Sequence, residues 1–395
     1  MKPKKHLIVV GGPTASGKTK TAIRLAQHHN TVILSADSRQ FYREMSIGTA
    51  KPDAKELAMA RHYFIDSHSI NHDYSVGDYE KEALALLEQL FEKHDKVILT
   101  GGSGLYINAL CQGLDQFPEV STEIKMRLES AYEKEGLGLL QSMIKEVDPD
   151  YAKVVDMQNP HRLLRALSVY EASGQPFSKF LQQAKNKRSF QPIYLQMHWE
   201  RSALYDRINR RVDIMVKNGL LEEVEALKPY QDKSALATVG YQEIFDYQDG
   251  QHDLPTAIDL IKRNSRRYAK RQLTWMRRDG FWKKFSVDQV PSMVEYIDWC
   301  IDTNYTLSNE FRDDKTHQLL SFKMGDKQIS VLEIVSTKQY DWVQIKAHQD
   351  QQALFYALEE WLNQSALKQH YLFSPIPIEL FIEELGFHPI DVFSV

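Results

Sequence analysis

Apolar residues in the first hundred positions fall into short unbroken runs, separated by longer stretches where they recur every three or four residues. Residues 6–10, His6-Leu7-Ile8-Val9-Val10, form one such run and meet Gly11-Gly12-Pro13 at once, the pattern of a buried strand ending in a tight loop. Residues 31–35 and 96–100 have the same character, and the latter again ends in a glycine pair, Gly101-Gly102. Between the runs the spacing predicts helices at residues 18–28 and, amphipathically, near 79–92. Strands alternating with helices imply a parallel sheet covered on both faces.

The pattern then changes twice. From about residue 115 to 188 no comparable run appears, and apolar positions such as Leu163, Leu164, Leu167 and Tyr170 follow helical spacing, so a helical insertion is expected. A strand at 193–198 rejoins the sheet, followed by long helices at 203–227 and 256–278, whose Leu, Ile and aromatic stripes read as core packing. Beyond Asn304 apolar and polar residues alternate over 317–335 around Met324-Gly325-Asp326-Lys327, predicting a β-hairpin with a third strand at 340–347. Residues 351–362 and 378–385 read as helical. The expected organisation is a core in two parts, 1–115 and 191–304, a helical insertion at 116–190 and a small α+β extension at 305–395. The chain's 395 residues exceed the usual size of one hydrophobic core. It carries no internal repeat or low-complexity tract.

Composition matters where it is uneven. A net charge of −4 argues, taken alone, against a nucleic-acid partner. Yet residues from Leu307 onward hold 13 acidic and 7 basic side chains, leaving 42 basic against 40 acidic before them, with the surplus near 262–284. Cys111 and Cys300 are far apart and lack metal-ligand spacing, which suggests neither a disulfide framework nor a zinc site. The apolar run at residues 7–10 is too short for a signal peptide or a membrane span, so a cytoplasmic protein without a membrane partner is expected.

The strongest motif is Gly12-Pro13-Thr14-Ala15-Ser16-Gly17-Lys18-Thr19, a full match to G-x-x-x-x-G-K-[ST] between a predicted strand and a predicted helix. Backbone N–H groups of such a loop turn toward phosphate oxygens, and the following helix presents its positive end to the same anion. Lys18 would neutralise phosphate charge, and the Thr19 hydroxyl would ligate a bridging Mg²⁺. These features predict an α/β, P-loop NTPase-like parallel sheet flanked by helices. The motif does not specify the phosphate compound, since ATPases, GTPases, small-molecule kinases and other transferases share it.

Further blocks narrow the choice. They are Ser35-Ala36-Asp37-Ser38-Arg39-Gln40-Phe41-Tyr42, Ile47-Gly48-Thr49-Ala50-Lys51-Pro52 and Gly101-Gly102-Ser103-Gly104-Leu105-Tyr106. Later come Asn159-Pro160-His161-Arg162-Leu163-Leu164-Arg165, Val239-Gly240-Tyr241-Gln242-Glu243 and Arg271-Gln272-Leu273-Thr274-Trp275-Met276-Arg277-Arg278. In this order, over residues 12 to 278, the sequence resembles the tRNA dimethylallyltransferase (isopentenyltransferase) family. The resemblance stops near residue 300.

That resemblance implies transfer of a dimethylallyl group from dimethylallyl pyrophosphate to N6 of an adenosine beside the tRNA anticodon, using Mg²⁺; a monomer is expected, although the sequence itself leaves the oligomeric state open. Asp37 would be the general base, with Thr14 and Arg211 closing the channel around the donor. The chemistry agrees, because the adenine amine is a poor nucleophile and a nearby carboxylate can take its proton. Rival roles for Asp37 are a Mg²⁺ ligand or a helix cap. Arg211 follows Arg207 and Arg210, so three arginines compete for the leaving group. By the same resemblance Asp37, Ser38, Arg39, Gln40 and Ser103 meet the flipped base, as do His161, Arg162, Leu163, Leu164 and Arg165. Lys125, Gly240, Tyr241, Gln242, Arg271 and Arg277 complete the implied tRNA contacts. Ser103 stands where the family usually has threonine. The basic stretch from Lys262 to Arg278, continuing to Lys283-Lys284 and interleaved with Tyr268, Trp275 and Trp282, has the charge and aromatic surface to track phosphates and stack on bases. Its bland reading is a solvated helix packed on the core. A small-molecule kinase, a sister enzyme acting on free AMP or ADP, and a non-catalytic RNA-binding protein are the alternatives.

Overall fold

The computed structural model describes residues 5–181, 188–279, 282–302 and six later strand segments. The chain divides into two compact units, Met1–Leu110 with Ser189–Val395, and Cys111–Arg188.

The first unit is built on a six-stranded sheet of β1 (Lys5–Gly11), β2 (Ile33–Ser35), β3 (His62–Tyr63), β4 (Lys96–Gly101), β5 (Phe190–Met197) and β6 (Lys283–Phe285), ordered β3-β2-β4-β1-β5-β6. All of its pairings are parallel. Helices cover both faces of such a sheet, which is why Leu7 to Val10 and Val97 to Leu99 are uninterrupted apolar runs with no exposed surface. The central strand β1 pairs with β4 on one side and β5 on the other, so the loop after Gly11 opens in the middle of the sheet's carboxyl edge.

Several expectations need adjusting. The helix Lys18–His28 has its expected bounds. The next long helix, Val76–Phe91, starts earlier than expected, because Ser75 and Asp78 form a capping box that the apolar periodicity does not reveal. The single helix expected over 203–227 is two, Arg201–Lys217 and Leu220–Ala226, broken where Gly219 adopts φ +100°. Strands β3 and β6 were not expected. Since β6 includes Lys283, this lysine is a sheet residue only 6% exposed, and Trp282 beside it is 2% exposed against Trp275 and Tyr194. Neither belongs to a surface that tracks RNA, a correction to the basic stretch read from the sequence.

The second unit has helices Thr122–Glu135, Leu137–Val147, Pro149–Val154 and Pro160–Ser173 and a 3₁₀ turn at Phe177–Phe180. Leu128, Leu140, Ile144, Leu163, Leu167 and Phe177 form its own core. Helix starts are written in the sequence: Asn159 accepts from the Arg162 amide at 3.2 Å with Pro160 in the first turn, and Asp148 caps Pro149–Val154.

Beyond Asn304, β7 (Tyr305–Phe311), β8 (His317–Met324), β9 (Lys327–Ser336), β10 (Tyr340–His348), β11 (Gln369–Phe373) and β12 (His388–Pro389) form a second sheet in consecutive order. The expected hairpin is β8–β9 and the expected third strand is β10. Pairing is antiparallel up to β10 and parallel from β10 to β12. The helices expected at 351–362 and 378–385 lie outside the described residues. Among the described residues no helix is long and apolar enough to cross a membrane.

Candidate active site

The loop from Gly12 to Thr19 leaves β1 and enters the helix Lys18–His28, with Ala15 at φ +63° and Gly17 at φ +86° turning the backbone. Three side chains from distant segments hold it. Gln272 accepts from the Thr14 amide at 2.9 Å and donates to the Gly102 carbonyl at 2.9 Å, joining the loops after β1 and β4. Arg207 donates through Nε to the Ala15 carbonyl at 2.9 Å and stacks on the Trp199 ring, whose Nε1 donates to the Ser16 carbonyl at 2.8 Å.

Asp37 follows β2, the neighbour of β4. Its Oδ1 accepts from the Arg39 amide at 3.1 Å, so the aspartate does cap a local turn. The Ser38 amide donates to Ser103 Oγ at 3.0 Å, and Ser103 in turn is hydrogen-bonded to the Tyr268 phenol. Burial first, and the negative charge of Asp37 second, push that phenol up to about 12, so it remains a hydrogen-bond donor at neutral pH.

A third wall is the loop at residues 46–50. Glu223 accepts from the Ser46, Ile47 and Gly48 amides at 3.0, 2.7 and 3.0 Å and from the Tyr241 hydroxyl at 2.6 Å. Glu243 accepts from the Gly240 amide and from Asn264 Nδ2, each at 2.7 Å, binding that turn to the helix Leu254–Asp279.

Two cavities open among these walls. One, of about 520 Å³, is lined by Asp37, Ser38, Arg39, Gln40, Tyr268 and Arg271 on its polar side and by Val212, Met215, Val239 and Ile261 on its apolar side. The other, of about 490 Å³, is lined by the phosphate loop and by Lys51, Glu56, Arg207, Arg210 and Ile214. Lys18, Thr19, Ala50 and Arg211 line both. With Lys18 and Arg211, the second cavity carries five cations against one carboxylate, an arrangement suited to a polyanion.

Electrostatics single out the shared wall. Desolvation, opposed by the charge of Asp37 and reinforced by that of Arg211, lowers the Lys18 ammonium to about 8. Burial likewise lowers Arg211, again against the pull of Asp37. Two cations are thus held in a desolvated site without full compensation, and an incoming anion would stabilise both.

Of the residues expected at the site, Thr14, Lys18, Thr19, Asp37, Ser38 and Arg39 converge on the first cavity, as do Gln40, Arg211, Gly240, Gln242 and Arg271. Ser103 stands behind Ser38 through its hydrogen bond. Arg277 is exposed and outside the cavity lining. Tyr241 has no exposed surface: its ring packs in the core and its hydroxyl serves Glu223, which corrects its reading as a tRNA contact. Leu163 is likewise wholly buried in the helical unit's own core, and Leu164 packs against that core. Lys125, His161, Arg162 and Arg165 belong to that unit, and all four are exposed. Sequence reasoning missed Glu223, gave Gln272 no role of its own and read Tyr268 only as one of the aromatics interleaved with the basic stretch. Gln272 lies inside a recognised block, which was the available signal.

The family model of the IPP transferases matches residues 40–279. A tRNA dimethylallyltransferase of Christiangramia forsetii is 50% identical over 299 residues, spanning 75% of this chain and 99% of the relative. One from Flavobacterium johnsoniae is 48% identical, spanning 74% and 97%. The crystal structure of the tRNA isopentenylpyrophosphate transferase of Bacillus halodurans is 34% identical, with a TM-score of 0.57 over 76% of this chain and 97% of that one. A eukaryotic dimethylallyltransferase acting on tRNA, 20% identical with a TM-score of 0.64 over 82% and 92%, shares the fold.

Proposed function

The chain belongs to the IPP transferase family, and from that premise we propose that it transfers the dimethylallyl group of dimethylallyl pyrophosphate to N6 of the adenosine at position 37 of tRNA, releasing pyrophosphate. Its relatives at 50% and 48% identity carry the name tRNA dimethylallyltransferase, which favours tRNA over free AMP as acceptor and a prenyl over a phosphoryl group as cargo. The observation that carries the reading is a pair of cavities, one walled by the phosphate loop and its arginines, the other by Asp37, with Lys18 and Arg211 lining both.

The pyrophosphate of the donor lies against residues 12–19 under Lys18 and Arg211, and its allylic carbon points across the boundary. The acceptor adenosine, drawn out of the stacked anticodon loop, enters from the Asp37 side. The N6 lone pair forms the new C–N bond as the C–O bond breaks, the pyrophosphate departs with that electron pair, and Asp37 takes the N6 proton. Lys18 and Arg211 meet the charge growing on the leaving oxygens, a contribution that costs about 2.7–4 kcal/mol when one such group is removed. Of the three neighbouring arginines, Arg211 is favoured by its place on both cavities, since Arg207 is bonded to the Ala15 carbonyl.

Mg²⁺ fits the donor set. Among the described residues no group of three or more His, Cys, Asp or Glu converges on a metal site, whereas Thr19 offers one hydroxyl beside the phosphate loop. Mg²⁺ binds through one or two protein oxygens, substrate phosphates and water, so Thr19 would hold it. When bound, the ion neutralises charge on the pyrophosphate. Lys125, His161, Arg162 and Arg165 of the helical unit supply phosphate contacts to the anticodon stem-loop. Both substrates are met in the cytoplasm.

The test is to incubate the protein with labelled dimethylallyl pyrophosphate, Mg²⁺ and either unmodified tRNA or AMP. Label is expected in tRNA and not in AMP. Label in AMP alone, or transfer to neither acceptor, overturns the reading.

A further inference from the structure

Building on that reading, we propose that Glu223 is a positioning residue for transfer, holding the loop at residues 46–50 in the one conformation that walls the acceptor side of the channel. Gly48 and Thr49 line the first cavity, and Ala50 lines both. The loop has no strand or helix of its own to fix it, so its shape depends on what its backbone groups meet.

Both ends of its peptide groups are engaged by side chains. Three consecutive amides, from Ser46 to Gly48, converge on the Glu223 carboxylate, a concave backbone arrangement that favours an anion. Oε2 accepts two of these bonds, and Oε1 accepts the third together with the Tyr241 hydroxyl. On the other side, Gln40 Nε2 donates to the carbonyls of Thr49 and Ala50, each at 3.2 Å. The Gln40 amide donates to the Asp37 carbonyl at 3.2 Å. Loop and base-bearing turn are therefore one hydrogen-bonded piece, anchored to the helix Leu220–Ala226 by Glu223.

Tyr241 fixes how close the loop can lie. Its ring carbons stand 2.5 Å from where a Cβ on Gly48 would be, so residue 48 has no room for a side chain while the ring keeps its place. The ring is buried and its hydroxyl ends on Glu223, which makes Glu223, Tyr241 and Gly48 a single contact set.

Replacing the carboxylate by an amide turns one double acceptor into a donor facing donors, so Glu223→Gln must break two of the four bonds with little change of volume. Steady-state transfer by wild type, Glu223→Gln and Tyr241→Phe would be measured with tRNA varied at saturating donor, then the reverse, alongside thermal unfolding. For Glu223→Gln, kcat/KM for tRNA is expected to fall roughly 10- to 100-fold while KM for the donor stays within about twofold, because Gln272, Arg207 and Trp199 tether the phosphate loop independently. Tyr241→Phe, which keeps the ring and loses one bond, should move the same parameter about threefold. Variants with wild-type kcat and tRNA KM but a lower unfolding midpoint overturn the proposal, as does an equal rise in KM for both substrates. Should Glu223→Gln fail to fold, Tyr241→Phe decides alone. Wild type that transfers no label overturns the transfer reading and this proposal with it, whereas wild-type transfer with unchanged variants overturns this proposal only.

Discussion

The loop at residues 12–19 and the loop at residues 46–50 line the same two cavities, yet their backbone amides serve different partners. In the first, tethers come mainly from side chains that grip carbonyls, at Ala15 and Ser16, with the Thr14 amide given to Gln272. In the second, three successive amides already meet a carboxylate supplied by the protein. The difference tells which loop can take a phosphate. Glu223 sits in the seat an anion would use and repels a second one, so a polyanionic donor is directed to the loop that keeps Lys18 and Arg211 beside it.

The sharpest way to break this comparison is Asp37→Ala. Losing the proposed proton acceptor should slow transfer by ~10²–10⁴-fold in single-turnover assays, with donor affinity by calorimetry unchanged. A matching loss of donor affinity would merge the two sides into one. Next in size, Lys18→Met should lower kcat/KM for the donor by ~10²–10³-fold and leave tRNA affinity in filter binding intact. Gln272→Leu removes the tether between the loops after β1 and β4 and strands two polar groups beside a residue only 5% exposed. A loss of roughly 1–3 kcal/mol in urea unfolding is expected, together with a raised donor KM.

The mildest effect is on pH dependence. Lys18 carries its charge below about 8 and loses it above, so kcat/KM for the donor should fall as pH rises through that value. In the complex the phosphate favours the charged ammonium, so the plateau in kcat should extend to higher pH. The Lys18→Met profile should lack this limb of kcat/KM.

What the sequence made legible depended on distance along the chain. The phosphate loop is a consecutive motif, and strands β1 and β4 are apolar on both faces, so each declares itself locally. Strands β3 and β6, of two and three residues, are too short for any period to be read. A glycine within a helical pattern is often tolerated, so the break at Gly219 stayed hidden. Recognising a block did not reveal which of its side chains face inward, hence the misplaced Tyr241 and Leu163. Glu223 stands in Leu220-Leu221-Glu222-Glu223-Val224, where a carboxylate on an amphipathic helix reads as solvated charge; its partners at 46 to 48 are 175 to 177 positions away.

The place of β1 also sets a timetable for synthesis. It leaves the ribosome long before its later partners, so Lys5 waits for Phe190 to cover its second edge, and the Thr14 amide waits for Gln272, 258 positions later. At about 5–20 residues per second, the nascent chain carries an unfinished phosphate loop on a half-covered strand for on the order of ten to fifty seconds. An uncovered edge invites pairing with other chains. Ribosomes stalled before residue 272 should therefore display chains that cannot retain the prenyl donor and that depend on chaperones to stay apart.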